Sequence, residues 1–136
     1  MPAHLKAEIS YHIYKEAIQS FRILQDRDQR FYAQYMFKFE PMRIKAGTQF
    51  AEEKTKANEV FFILSGCVEA IKSGKFYANG AMFGETDILF DRPRLDTYAT
   101  RMDCHILRLN REYFDQILDE FDDIREDIEA IAEQRE

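Results

Sequence analysis

The sequence predicts an α+β fold: an antiparallel β-roll (a double-stranded β-helix, jelly-roll-like) flanked by N-terminal and C-terminal helices. Three observations carry this. Apolar residues recur at helical spacing at the start of the chain. From Phe37 onward β-formers are broken by turn residues at short, near-regular intervals, as in small sandwiches and barrels. After Asn110 the helical period returns.

The elements follow in order. Leu5, Ile9, Ile13, Ala17 and Phe21 recur every fourth residue, and Tyr14 and Ile18 widen the stripe. A charged interruption, Gln25 to Arg30 (QDRDQR), separates this from a second short pattern in Phe31, Tyr35 and Met36. No Gly or Pro occurs between Ala3 and Glu40, so the break reads as a turn between helices, and residues 1–35 form a helical N-terminal unit. In the second unit, residues 36–136, Pro41, Lys45-Ala46-Gly47, Ser65-Gly66, Ser73-Gly74 and Asn79-Gly80 punctuate the chain. Between them the predicted strands are Met36–Glu40, Met42–Ile44, Glu59–Leu64, Cys67–Lys72, Thr97–Thr100 and Cys104–Leu109. Gly84 to Phe90 (GETDILF) is the exception, a helical turn or two inside the β region. Asn110 is a good N-cap for a helix carrying Phe114, Ile117, Leu118 and Phe121. A last helix runs through Ile124, Ile128 and Ile131 and is still unfinished at Glu136.

Composition excludes several functions. At 136 residues and 16.2 kDa the chain can bury about two-thirds of its unfolded surface, enough for one sizeable core. A net charge of -6 and a pI near 5.2 argue against a nucleic-acid partner. No apolar run approaches the ~18 residues of a membrane span, and Lys6, Glu8, Lys15 and Glu16 break any signal-peptide core. Cys67 and Cys104 form no CxxC pair, which fits a reducing, intracellular setting. His4, His12 and His105 lack metal-ligand spacing, so no metal site is expected. No GxSxG, P-loop or GxGxxG occurs; no catalytic set, and hence no enzyme, is predicted.

Chemistry concentrates in Asn79 to Thr97, NGAMFGETDILFDRPRLDT. Phe83-Gly84-Glu85 opens a short helix directly after a strand, where unpaired N–H groups favour an anion and Gly84 admits a ligand to the backbone. Glu85 supplies a carboxylate able to accept hydrogen bonds from a sugar hydroxyl. Arg94 follows the stiff Pro93 and offers a planar fork to a phosphate. The same residues also fit a bare helix start and a surface arginine.

The chain resembles the cyclic-nucleotide-binding domain family. The resemblance rests on Gly47 in KAGTQF, FFILSGCVEAI (Phe61–Ile71), FGE (Phe83–Glu85), RPR (Arg92–Arg94) and DCHILRLNREYFDQIL (Asp103–Leu118), in the family's order. It implies an eight-stranded β-roll in which the FGE-to-Arg stretch is a phosphate-binding cassette. By position, it assigns Arg94, Gly84, Thr86 and Leu95 to the cyclic phosphate and Glu85 to the ribose hydroxyl. Ile63, Val68, Met82, Phe83 and Arg135 are assigned to the base, the last on a helix that closes as a lid.

The opening MPAHLKAEISYHIYKEAIQSFRIL further resembles the end of the C-linker in cyclic-nucleotide-gated, hyperpolarization-activated and ether-à-go-go-type channels. That implies a regulatory domain on the cytoplasmic face of a cation channel, a potassium channel in the first instance. Its ligand would be cAMP or cGMP with no other cofactor, and its partners the rest of a homotetrameric channel polypeptide. The fragment itself would contain no membrane span. Asp87 and Asp96 depart from the family, and Leu95 stands where Thr favours cGMP in some relatives. A carboxylate ~6 Å from the phosphate would repel it by about 0.7 kcal/mol in water and ~3 kcal/mol at an effective dielectric near 20. The alternative expectation is therefore a degenerate homologue that binds no nucleotide and serves channel assembly or coupling.

Overall fold

The computed structural model describes residues 3–135, with the side chains described from residue 11 onward. Helix α1 (Ala3–Gln19), a 3-10 turn (Arg22–Leu24) and helix α2 (Gln29–Tyr35) precede the sheets. Asp28 caps α2 by accepting a hydrogen bond from the Arg30 amide at 2.8 Å. The buried face of α1 runs through Ile18 and on to Phe21, with Tyr11 and Tyr14 packed against the core. Ile13 is 60% exposed and stands outside the stripe expected of it. Leu5 and Ile9 lie outside the residues whose side chains are described.

The strand expected at Met36–Glu40 is instead a 3-10 turn, Met36–Lys38. Tyr35, Met36 and Phe39 are buried while Phe37 and Lys38 are exposed, which is the spacing of a helical turn and not strand alternation. Strand β1 (Glu40–Ile44) carries Pro41 without breaking, because it is the edge of its sheet. Strands β2 (Gln49–Ala51), β3 (Glu59–Ser65), β4 (Cys67–Ala70), β5 (Lys75–Ala78) and β6 (Met82–Phe83) follow, then helix α3 (Glu85–Leu89). Strands β7 (Tyr98–Thr100) and β8 (Cys104–Asn110) close the roll before helices α4 (Arg111–Glu120) and α5 (Asp122–Arg135). Asn110 caps α4 through the Glu112 amide at 2.8 Å.

Two four-stranded antiparallel sheets, ordered β1-β8-β3-β6 and β2-β7-β4-β5, form the roll. Strand β3 works on both faces. Phe61 and Ile63 point into the roll with Val68, Phe83, Tyr98 and Ile106. Val60 and Phe62 point outward to Phe21, Phe31, Phe39, Phe114 and Ile124, where the N- and C-terminal helices meet. Burial on both faces explains the near-continuous apolar run of β3. The two cores share this sheet, so the helices rest on the same strands that frame the cassette. Among the described residues no helix is long and apolar enough to cross a membrane.

Candidate functional site

Phe83 anchors the cassette from inside the roll, stacked on Phe61 at 5.1 Å and on Tyr77 at 5.2 Å between ring centroids. Gly84 then turns the chain with φ +90°, and a Cβ there would lie 2.8 Å from Arg94 Nη1. Only glycine fits both demands. Helix α3 begins at once with Glu85, whose side chain is fully buried.

Arg94 is 4% exposed and tied down on every side. Its Nη1 donates to the Gly84 carbonyl at 2.9 Å and its Nη2 to the Glu59 carbonyl at 2.5 Å. The guanidinium lies 5.6 Å over the Phe61 ring and 3.9 Å from an Asp87 oxygen. Burial pulls its pKa below the ordinary arginine value, against the attraction of neighbouring carboxylates. It faces a cavity of about 270 Å³ lined by Phe50, Thr55, Glu59 and Phe61.

Glu85 meets a different partner. Glu85 Oε1 accepts from Arg135 Nη1, at the far end of α5, and from the Thr86 hydroxyl at 3.4 Å. Arg135 Nη2 donates to the Met82 carbonyl at 2.7 Å, and its guanidinium sits 5.2 Å over the Tyr77 ring. Among the described residues, Glu85 Oε2 is buried with no hydrogen-bond partner. Burial pushes the Glu85 carboxyl above its ordinary range, and Arg135 opposes that shift.

A cavity of about 200 Å³ adjoins this pair, lined by Ala70, Tyr77, Gly84, Thr86, Asp87, Arg92, Leu95, Tyr98 and Arg135 among others. Gly84, Thr86, Leu95 and Arg135 therefore share one wall, although Leu95 is 55% exposed. Of the residues assigned to the base, Arg135 lines this cavity and the other four lie elsewhere. Ile63, Val68 and Phe83 are buried in the core of the roll, and the Met82 side chain packs on the helix side of its sheet. Their apolar character is spent on packing. Tyr77 and Tyr98 line the cavity in their place, and sequence reasoning missed both. Burial raises the pKa of each phenol, so both are neutral hydroxyls at physiological pH.

The two departing aspartates are structural. Asp87 accepts from Arg92 Nε at 2.9 Å and lies beside Arg94, so its charge is neutralised inside the cassette. Asp96 is 8% exposed in the loop before β7. Its carboxylate accepts from the amides of Lys72 (2.6 Å), Ser73 (2.9 Å) and Thr97 (2.9 Å). Burial would raise its pKa, but these amides outweigh burial and hold it below the usual carboxylate range.

The family model for the cyclic nucleotide-binding domain matches residues 41–121, more than half of the chain. The chain belongs to the cyclic-nucleotide-binding domain family. The regulatory subunit of a cAMP-dependent protein kinase from Aspergillus fumigatus is 31% identical over 88 residues, 61% of this chain and 21% of that protein. The potassium channel KOR1 of Oryza sativa subsp. japonica is 23% identical over 129 residues, 89% of this chain and 15% of the channel. The regulatory subunit of a cAMP-independent protein kinase A from Trypanosoma brucei shares the fold with a TM-score of 0.80 at 15% identity, covering 90% of this chain and 46% of that one. The chain thus spans about a fifth or less of the curated relatives it matches.

Proposed function

We propose that this chain is the cyclic-nucleotide-sensing regulatory domain of a cation channel, with cAMP or cGMP as its ligand and residues 1–35 as the part that transmits its state. One observation carries the nucleotide reading. Gly84 at φ +90° sets Glu85 and Arg94 on either side of one short helix start, a carboxylate for a sugar hydroxyl and a guanidinium for a phosphate. Arg94 would turn from the Gly84 and Glu59 carbonyls to the phosphate, exchanging neutral hydrogen bonds for a charge-assisted pair. Glu85 would take a ribose hydroxyl, and Tyr77 and Tyr98 offer aromatic faces beside it.

The channel reading rests on coverage. An alignment spanning 89% of the chain with the rice channel cannot avoid the N-terminal helices, whereas the fungal kinase subunit is matched over 61%. A mechanical route supports it. Arg27, after the first 3-10 turn, donates to Asp123 (3.1 Å) and Asp127 (2.7 Å) on α5, so α5 links the N-terminal helices to the cassette. A ligand can move that link only by its difference in affinity between the two positions of α5.

A second reading, a non-binding domain used in channel assembly, draws on a specific observation: both ligand-type side chains already have internal partners. Calorimetric titration with cAMP and cGMP at low and moderate salt separates the two. Saturable heat with either nucleotide supports the sensor and names its signal. No heat at millimolar nucleotide supports the assembly domain.

A further inference from the structure

We propose that the far end of β3 from the cassette carries a second anion site, built by Arg43, Lys45, Ser65 and His105 for a phosphate monoester. It is independent of the nucleotide reading. Glu59, whose carbonyl holds Arg94, and Ser65 lie at opposite ends of β3, about 20 Å apart by strand rise.

The sheet places these side chains together. His105 on β8 pairs with Arg43 on β1 and with Ser65 at the end of β3, so the three stand in one row across the strands. Unbroken pairing of β3 would set Leu64 opposite His105. A bulge after Ile63 puts Ser65 there, a hydroxyl in place of an apolar side chain. Lys45 follows β1 directly, and its carbonyl accepts from the Thr48 (2.8 Å) and Thr100 (2.6 Å) hydroxyls, which fixes the turn. The four residues line a cavity of about 400 Å³ over Ile44 and Cys104, within the ~300–1,000 Å³ usual for small-molecule clefts.

Charge is the second, independent support. Among the described residues, every arginine has a carboxylate at ion-pair distance except Arg22 and Arg43, and Lys45 has none either. In a chain of net charge -6, a guanidinium, an ammonium and an imidazole thus share one cavity without an ion-pair partner. The carboxylate that lines it, Asp103, accepts from the Ala46 amide at 2.9 Å. Burial and the Arg43 charge lower the His105 pKa, a repulsion that a bound anion would relieve. A phosphate monoester carries about -1.5 to -2 charges at pH 7 and three terminal oxygens. The Arg43 fork can take two of them, and Lys45, Ser65 and protonated His105 the rest.

The test is an NMR titration of the whole chain with phenyl phosphate at constant ionic strength, read at the His105 ring and the Gly84 amide. A parallel arm measures sedimentation with vesicles that carry phosphatidylinositol 4-phosphate. The site predicts a saturable shift of the His105 signal, a His105 pKa that rises when the ester is bound, and an unmoved Gly84 amide. Arg43→Ala should weaken binding about tenfold, as for a hydrogen bond to a charged group, whereas Arg22→Ala, which removes the same charge elsewhere, should leave it unchanged. Binding of the soluble ester assigns a free phosphate, and a response to vesicles alone assigns a lipid headgroup; either supports the site. Equal weakening in both variants, a response that never saturates, or a shift confined to Gly84 overturns it.

Discussion

The two ends of α5 are held by different physics. Near its start, Ile124 and Ile128 are sunk in the core shared with Phe31, Phe62 and Phe114, and Arg27 adds two exposed ion pairs. At its end only Ala132 is deeply buried, and Arg135 supplies the attachment through a carboxylate, a carbonyl and a ring. Apolar burial at the first end is non-directional and scales with the area removed from water. The polar contacts at the other end depend on a few placed atoms. The contrast makes the start of α5 the anchor and its end the weaker attachment.

The largest effect should come from the anchored start of α5. Ile124→Ala is expected to cost about 2–5 kcal/mol, the range for emptying a fully buried aliphatic site. Denaturant unfolding monitored by far-UV circular dichroism measures it, and a loss well under 1 kcal/mol would mean α5 is not anchored there.

The cassette beneath the end of α5 should also prove rigid. Asp96→Ala removes a carboxylate that three amides share, and about 2–3 kcal/mol should be lost at pH 7, as for hydrogen bonds to a charged group. Because the folded carboxyl is held below its ordinary range, this contribution is present above that range and disappears as pH falls through the folded value. Chemical unfolding of both proteins from pH 7 down to pH 2 should show the curves converging at the acid end. Parallel curves would count against the assigned role.

Glu85→Gln should act in the opposite sense and more weakly. The folded carboxyl is raised, so the native state binds its proton more tightly and wild type loses stability, relative to the variant, as pH climbs from the ordinary glutamate range through the folded value. Above that window the variant should lie within about 1 kcal/mol of wild type, because the Arg135 side chain is 25% exposed and keeps access to water when its partner is neutral. A large loss at pH 7 would show that the Arg135 pair is a principal support of the fold. The smallest effect belongs to Arg27→Ala: its partners are more than half exposed, so ~0–1 kcal/mol is expected, shrinking in high salt. Melting at two salt concentrations is sufficient to check it.

Much of this was legible in the sequence because helices and two-sided strands leave strong patterns. Phe61 to Leu64, Cys104 to Leu109 and the Asn110 cap mark their elements directly. Strands β2, β5 and β6 were missed because they are two to four residues long, and β5 is mostly exposed, so no alternation marks it. Tyr77 was lost with β5. In the cassette, residue types located Gly84, Glu85 and Arg94, but not what they touch. That Asp87 answers Arg92, or that Asp96 gathers amides from 23 and 24 residues away, depends on loops folding back, which spacing along the chain does not encode. The Arg135–Glu85 pair spans 50 residues and has the same origin.

The central claim is the proposed one, that Glu85 and Arg94 form a cyclic-nucleotide cassette. The side-chain Nε–H signal of Arg94, followed by NMR during a cAMP or cGMP titration, tests it most directly. The account predicts that this signal shifts saturably as the guanidinium leaves the Gly84 and Glu59 carbonyls for phosphate. A signal unmoved at millimolar nucleotide would contradict it.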